Sequence, residues 1–453
     1  MVAIATDPLK KKLIDLLFQE ADNGADSNEY YLGIGKADTY DSSDTTATPL
    51  RTIEEEREAR NNLQSIKKVT GVSFVIPRYN WTSGSIYSAW SDNVVGLPTN
   101  PYYVLTEDNE VYVCVKQGQD ATGAANTSTV KPSYTDEGVD QTAAFTTADG
   151  YIWKLMYGLS ASRASTFLSS GFIPVQDITV DSASANAFEL QQLNIQNTAT
   201  PGQIVGLEII SGGSGYSSAP TITINGDGTG ATATATISGG TIVKVEMSNF
   251  GSGYNFAGAT VSSGAAVLRP IIGPRDGVGK SVIEDLKSTS VMFNIKPDGA
   301  EGGDFIVTND FRQIVLLRNP TLTDSAGGDG PIFTGTSGKV GRFMTLTGTI
   351  SASGLVVDEE ITGGTSGVTA FVDELDSASG NIVYYHQNSN NIAGEFTDGE
   401  AITGDGVGSA TIDSGNKYTS VDMFSGDLLY IENRAKITRS AAQTEDIKVI
   451  ITV

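Results

Sequence analysis

A chain of 453 residues is longer than one hydrophobic core of typical size requires, so two or three domains are expected. Lys and Arg number 29 against 53 Asp and Glu, a net charge of −24, which excludes counterion release on a phosphate backbone as a general driving force; no nucleic-acid partner is expected. A single Cys excludes an intrachain disulfide, a single His excludes a multi-histidine metal cage, and no run of about 18 apolar residues marks a membrane span.

Asp7 is placed to cap a helix with Pro8 at its first position, and Leu9, Leu13, Leu16 and Leu17 follow at helical spacing. The residues before it lack the charged start and long apolar run of a secretion signal, so synthesis in the cytoplasm is expected. Thr52 and Glu55 have capping-box spacing and open a second helix, expected to run through the charged stretch Glu54 to Arg60 towards Ile66. From Val72 the texture turns to strands: Val72 to Ile76, Tyr102 to Leu105, Val111 to Val115 and Tyr151 to Tyr157, separated by Gly, Asn, Asp and Pro. Cys114 lies in one of these, where a buried, inert thiol is expected.

Residues 199–268 hold a repeat. Ile204 to Ile209 and Ser214-Gly215-Tyr216 recur as Ile242 to Met247 and Ser252-Gly253-Tyr254, at an offset of 38 residues. Each copy alone is too short to bury much apolar area, so the two are expected to pack across a pseudo-two-fold core. Residues 334–415 carry a looser echo, Glu359 to Gly363 and Glu400 to Gly404, offset by 41 residues and set among short strands and Gly-rich turns. The expected fold is mainly β: a multi-layer β-sandwich core with a few helices, discontinuous over 1–198, 269–333 and 416–453. Two small Gly-rich β insert domains, 199–268 and 334–415, interrupt it.

Familiar chemistry is missing. His386 follows Tyr384 and Tyr385 in an expected strand, with no Ser-His-Asp or Cys-His arrangement around it, and a surface or packed role is expected. Gly273 to Ser281 ends in Gly-Lys-Ser, but five residues separate Gly273 from Gly279 where a phosphate loop needs four, and Pro274 intrudes. Asn225-Gly226-Asp227-Gly228 lacks the ligand count of a calcium loop and reads as a tight turn. No catalytic residue, metal ligand or cofactor is assigned, and the chain is read as not an enzyme. Trp153 alternates with Ile152 and Leu155 and is expected in the core. Arg78, Tyr79, Asn80 and Trp81 combine charge, aromatic area and hydrogen-bonding groups on one loop, the composition of an interface or of a structural corner.

At the end of the chain, Ser425 to Arg434 and Gln443 to Val453 read as two strands closing one sheet. Leu428 and Tyr430 should point to one face and Leu429 and Ile431 to the other, while Ile447, Val449, Ile451 and Val453 alternate along the second strand. These two segments closely resemble the C-terminus of baseplate wedge proteins of T-even-like contractile-tailed bacteriophages. In the same order, Val75 to Trp81 resembles that family's Ile-Pro-Arg-aromatic-Trp element, Asp149 to Tyr157 its Asp-Gly-Tyr-x-Trp strand, and Phe311 to Pro320 a strand ending in Asn-Pro. The resemblance implies a homodimer in the virion tail baseplate that contacts neighbouring wedge proteins and helps convert host attachment into sheath contraction. Arg78, Tyr79, Asn80, Trp81, Glu432, Asn433 and Arg434 are then candidate interface residues. The alternative is an adhesive tail protein whose inserts touch a host-surface glycan through Tyr216, Tyr254 and the Tyr384-Tyr385 pair.

Overall fold

The computed structural model describes residues 4, 6–22, 28–94, 96–135, 140–176, 178, 180–298, 305–323, 329–376, 378–387, 394–406 and 408–453. The stretch read for a secretion signal lies largely outside them. The chain is mainly β, built from antiparallel sheets with a few helices. It divides into two compact units, Met1–Asp15 with Ser73–Met292 and Ile450–Val453, and Leu16–Val72 with Phe293–Val449.

In the first unit the strands Tyr103–Leu105, Glu110–Lys116, Ile152–Gly158 and Ala144–Thr146 form a sheet in that order. Val104, Tyr112, Cys114, Phe145, Trp153 and Leu155 make its apolar layer, closed by Ile195 of the helix Ala187–Thr198. Burial there pushes the Cys114 thiol well up, consistent with an inert core thiol. The helix starts at a capping box: Asn186 accepts from the amides of Phe188 and Glu189, and the Glu189 carboxylate reaches back to the Asn186 amide. That Asn-x-x-Glu signal preceded a stretch in which no helix was expected.

The first insert leaves this unit at Gln203 and returns at Gly273, whose amide donates to the Gln203 carbonyl at 2.8 Å. Its two copies each contribute three strands, Ile204–Ser211, Ile222–Gly226 and Thr229–Ser238, then Thr241–Ser252, Ala257–Val261 and Val267–Ile272. The first strand of each copy pairs with the third of the other, and the two middle strands pair with each other, Thr223 opposite Thr260. The predicted pseudo-two-fold is therefore present, and it exchanges strands between the copies. Equivalent contacts repeat across it: the Tyr216 amide donates to the Gly240 carbonyl at 3.0 Å, and the Tyr254 amide to the Gly202 carbonyl at 3.1 Å.

In the second unit the sheet order is Ser337–Lys339, Leu63–Lys68, Tyr30–Gly35, Asp310–Arg318, Asp427–Thr438. Tyr31, Leu63, Ile66, Val315 and Leu317 pack from it against Ala59 of the helix Ile53–Asn61. Thr52 caps that helix through the Glu55 amide, as expected, but the helix ends at Asn61 and Ile66 lies in a strand. Asn62 follows as its C-cap, and Leu63 and Ile66 are then buried from a strand.

The second insert leaves at Gly341 and returns at Thr419, whose amide donates to the Gly341 carbonyl at 3.1 Å. Arg342–Leu346, Glu360–Gly363, Thr369–Asp376, Ile382–Gln387, Ala401–Gly404 and Ser409–Tyr418 close into a barrel. The 41-residue echo is its internal symmetry. Thr362 pairs with Thr403 and Phe343 with Tyr384, both pairs on the pseudo-two-fold, and third strands again pair with first strands of the other half. The buried carboxylates of Glu359 and Glu400 repeat it too, accepting from the amides of Val356 at 2.7 Å and Thr397 at 2.6 Å. Both inserts thus share one strand-exchanged plan, hydrogen-bonded all round in the second and split into two sheets in the first.

Three expectations need correction. Asp427–Thr438 and Ile447–Thr452 do not close one sheet: the former is the edge of the five-stranded sheet, the latter the edge of a separate sheet ordered Ile447–Thr452, Ser290–Ile295, Gly71–Pro77, Phe172–Val175. A bulge after Leu428 places Leu428 and Ile431 against the same core, so the predicted alternation breaks at Leu429. Along the helix Asp7–Asp22, Leu9, Leu13 and Leu16 stay about half exposed, and Ile14 is the buried residue.

Val449 is fully buried, whereas Lys448 is half-buried with its ammonium paired to Asp446. Val449→Asp should therefore cost at least about 3 kcal/mol, an unpaired carboxylate in an apolar layer. Lys448→Asp should cost about 1 kcal/mol or less. Equal melting temperatures for the two variants would show that the strand is not buried. Because the amide of Gly273 already meets Gln203, replacing residues 204–272 by a short Gly-Ser linker should leave a soluble protein with a cooperative melt. Loss of soluble protein would show that the insert helps hold its unit together.

Candidate interface

The residues that carry the family resemblance are joined in pairs. In the first unit Trp81 donates through Nε1 to Ser128 Oγ at 3.1 Å, and Ser128 donates on to Asp149 Oδ2 at 3.2 Å. Asp149 also receives the amides of Thr129 and Val130. Burial alone would raise its pKa, but the Thr147 hydroxyl and these amides outweigh it and hold the carboxyl below the usual range. Tyr79 packs edge-on against Tyr103 at 5.5 Å, and its carbonyl receives the Leu105 amide. Arg78 is held by Asn80 Oδ1 and the Ser169 carbonyl. The Arg78 to Trp81 loop is accordingly a built corner, with Tyr79 and Trp81 turned into the unit and Asn80 exposed.

In the second unit the later motifs interlock. Gly426 has φ +67°, and a Cβ there would stand 2.6 Å from the Arg318 carbonyl and 2.8 Å from Pro320 N, so only glycine fits against the Arg-Asn-Pro turn. Arg318 pairs with Asp427 at 2.9 Å, Ser425 Oγ accepts the Thr321 amide at 2.7 Å, and Arg60 donates to the carbonyls of Ser425 and Gly426. Glu432, Asn433 and Arg434 lie half-buried on the edge strand. Gln313 donates to Asn433 at 2.7 Å, Arg434 pairs with Glu432 at 3.3 Å, and the Arg434 amide donates to the Tyr40 hydroxyl, filling the bulge opposite Arg312. Among the described residues this strand ends its sheet, and it carries the exposed Leu429 and alternating charge.

The insert residues fare differently. Tyr216 and Tyr254 are 7% and 4% exposed, so they are not surface residues. Each ring covers a glycine of the other copy, Tyr216 over Gly264 and Tyr254 over Gly226, where any side chain would collide with it. The repeated Ser-Gly-Tyr showed that the tyrosines were equivalent; the glycines that receive them are far away in sequence and were not read. Tyr385 is buried inside the barrel, while Tyr384 faces outward.

The Gly-Lys-Ser turn holds an internal carboxyl, that of Asp285, which burial pushes up to about 7. The Gly279 amide donates to Asp285 Oδ2 at 2.6 Å, so an amide that a phosphate would need is already taken, while Lys154 from a neighbouring strand donates to the Val278 carbonyl at 2.7 Å. Asp227 accepts from the amides of Asn255 and Phe256 and from the Asn255 side chain, as a turn residue does. His386 is buried, with Nδ1 2.7 Å from Asp373 Oδ1, and Gln64 donates to the same carboxylate at 2.7 Å. Burial opposes protonation of His386, but Asp373 outweighs it and the pKa is raised. Among the described residues no group of three His, Cys, Asp or Glu is placed to hold a metal. No protein-family model matches the chain, and no curated protein shows significant similarity to it.

One carboxylate near His386 has a measurable signature. Burial, helped by the charges of Asp310 and Asp373, pushes Asp358 from an ordinary value near 3.8 up to about 6, despite the Asp310 amide hydrogen bond. The folded state then binds this proton more tightly than the unfolded chain, so its stabilising effect is complete below pH 3.8 and is lost as pH rises through about 6. Asp358→Asn keeps the acceptor and tolerates the positive φ at this position. Its melting temperature should fall less than that of the parent between these two pH values; parallel curves would remove Asp358 as the titrating group.

Proposed function

We propose that this chain is a structural subunit of a contractile phage tail baseplate wedge, architectural and not catalytic. The observation that carries the reading is the interlocking of the motifs. Trp81 with Asp149 and Gly426 with the Arg318 to Pro320 turn account for residues whose wording resembles the wedge family. These are framework contacts, which is what a scaffold subunit preserves. The edge of the strand Asp427–Thr438 is the surface offered to a second copy or to neighbouring wedge proteins, because among the described residues it ends its sheet and Leu429 is exposed on it. Function then consists of interfaces with alternative packings in the assembled baseplate.

A second reading is favoured by one specific observation, an aromatic cleft at the root of the barrel insert: an adhesive role towards host-surface glycans, compatible with the first. The purified chain, 47.5 kDa as a monomer, should scatter light as a dimer across a broad concentration range. A monomer throughout would count against self-association outside the wedge. Low-resolution maps of virions carrying a tagged copy should place the tag in the baseplate; density elsewhere on the particle would overturn the assignment.

A further inference from the structure

The pseudo-two-fold of the barrel passes between Phe343 and Tyr384, and this pair shapes its outer surface. Phe343 lies between Tyr384 on one neighbouring strand and Lys417 on the other. The two rings are 5.8 Å apart, with Lys417 Nζ 5.9 Å from the Phe343 centroid and Lys339 Nζ 4.1 Å from the Tyr384 centroid. Phe343, Tyr384 and Lys339 line one side of a cavity of about 440 Å³, whose other walls include Tyr418, Thr336 and Ser420; Lys417 is not part of the lining and stands beside Phe343. Tyr418 is 47% exposed, and the floor is the buried ring of Phe333 beneath the backbone of Gly335 and Gly338.

Size and lining restrict the occupant. The volume falls within the range of small-molecule sites, roughly 300–1,000 Å³. Partly exposed aromatic faces stack on apolar ring faces, and hydroxyls at the rim exchange hydrogen bonds with polyols. The charges decide between ligands with rings. Lys339 is neutralised by Glu374 at 2.9 Å, and among the described residues Lys417 forms no ion pair. A cation without an ion pair among the described residues, at the edge of the cleft, favours an acidic sugar over a neutral one; a nucleic-acid strand would need a row of cations on a chain of net charge −24.

We propose that this cleft binds a short oligosaccharide bearing a carboxylate, its sugar ring stacked on Tyr418 and Phe343 and the carboxylate directed to Lys417. The inference rests on the second reading above and gives it a site. Calorimetric titration of the full-length chain with tri-galacturonate, maltotriose and a dT8 oligonucleotide tests it. Tri-galacturonate should bind most tightly. Tyr418→Ala should weaken it about tenfold or more through loss of stacking, and Lys417→Met should weaken tri-galacturonate while leaving maltotriose unchanged. Both positions are exposed, so unchanged melting temperatures will verify folding. Saccharide binding that survives both substitutions would overturn the site and leave the adhesive reading standing. No binding to either saccharide would overturn both, and tighter binding of dT8 would overturn the choice of ligand.

Discussion

The second unit depends on the antiparallel pairing of Asp310–Arg318 with Asp427–Thr438. The inner strand is buried along nearly its whole length, so every backbone group on it must find a partner, and one of its two flanking strands is contributed from beyond the entire barrel insert. Chain entropy opposes such a long-range contact, though only weakly with loop length once the ends are held together. They are held together twice, by the Gly426 turn locked onto Arg318 to Pro320 and by the Gly341 to Thr419 hydrogen bond at the barrel root. The long excursion thereby behaves as a short one.

Both inserts solve the problem of short strands in the same way. Neither half of either insert could bury a core with three strands of this length, and exchanging the third strands makes each half complete the other. The same exchange forbids partial folding, since removing one half strips partners from both. Glycines enforce the symmetry where chain meets ring or carboxylate: Gly226 and Gly264 under tyrosines, Gly363 and Gly404 under Glu400 and Glu359. Gly-rich texture here is close packing, not looseness.

Period-2 patterning, the capping signal at Thr52 and the 38-residue repeat were legible in the sequence because each is a local rule or a self-comparison. The pseudo-two-fold of the first insert followed from the repeat alone. What was not legible depends on non-local geometry. A bulge at Leu429 reverses a face assignment that strict alternation would give, and the C-terminal strands look like a pair only because they are neighbours in sequence. Tyr216 and Tyr254, candidate surface residues under the adhesive alternative, are instead buried, and nothing local reveals it because the receiving glycines sit in the other copy. Of the candidate interface residues, Tyr79 and Trp81 proved to be anchors for a corner, the reading their composition had left open.

At the barrel root a scaffold strand and the proposed cleft share one element. Lys339, which caps the Tyr384 ring, belongs to the edge strand Ser337–Lys339, and its backbone is paired with Ser65 of the central sheet. Phe333, under the cleft, packs in a tilted arrangement against Tyr31 from the same sheet, with ring centroids 5.4 Å apart, and the Tyr31 hydroxyl donates to the carbonyls of Phe333 and Gly335. A ligand seated there would rest on side chains already fixed by the framework, so little side-chain entropy would be lost on binding. By linkage, such a ligand would stabilise the folded unit in proportion to its occupancy. Rigid support beneath an exposed aromatic wall lowers the ordering cost of seating any ring there, and the framework supplies that support where the barrel joins its sheet.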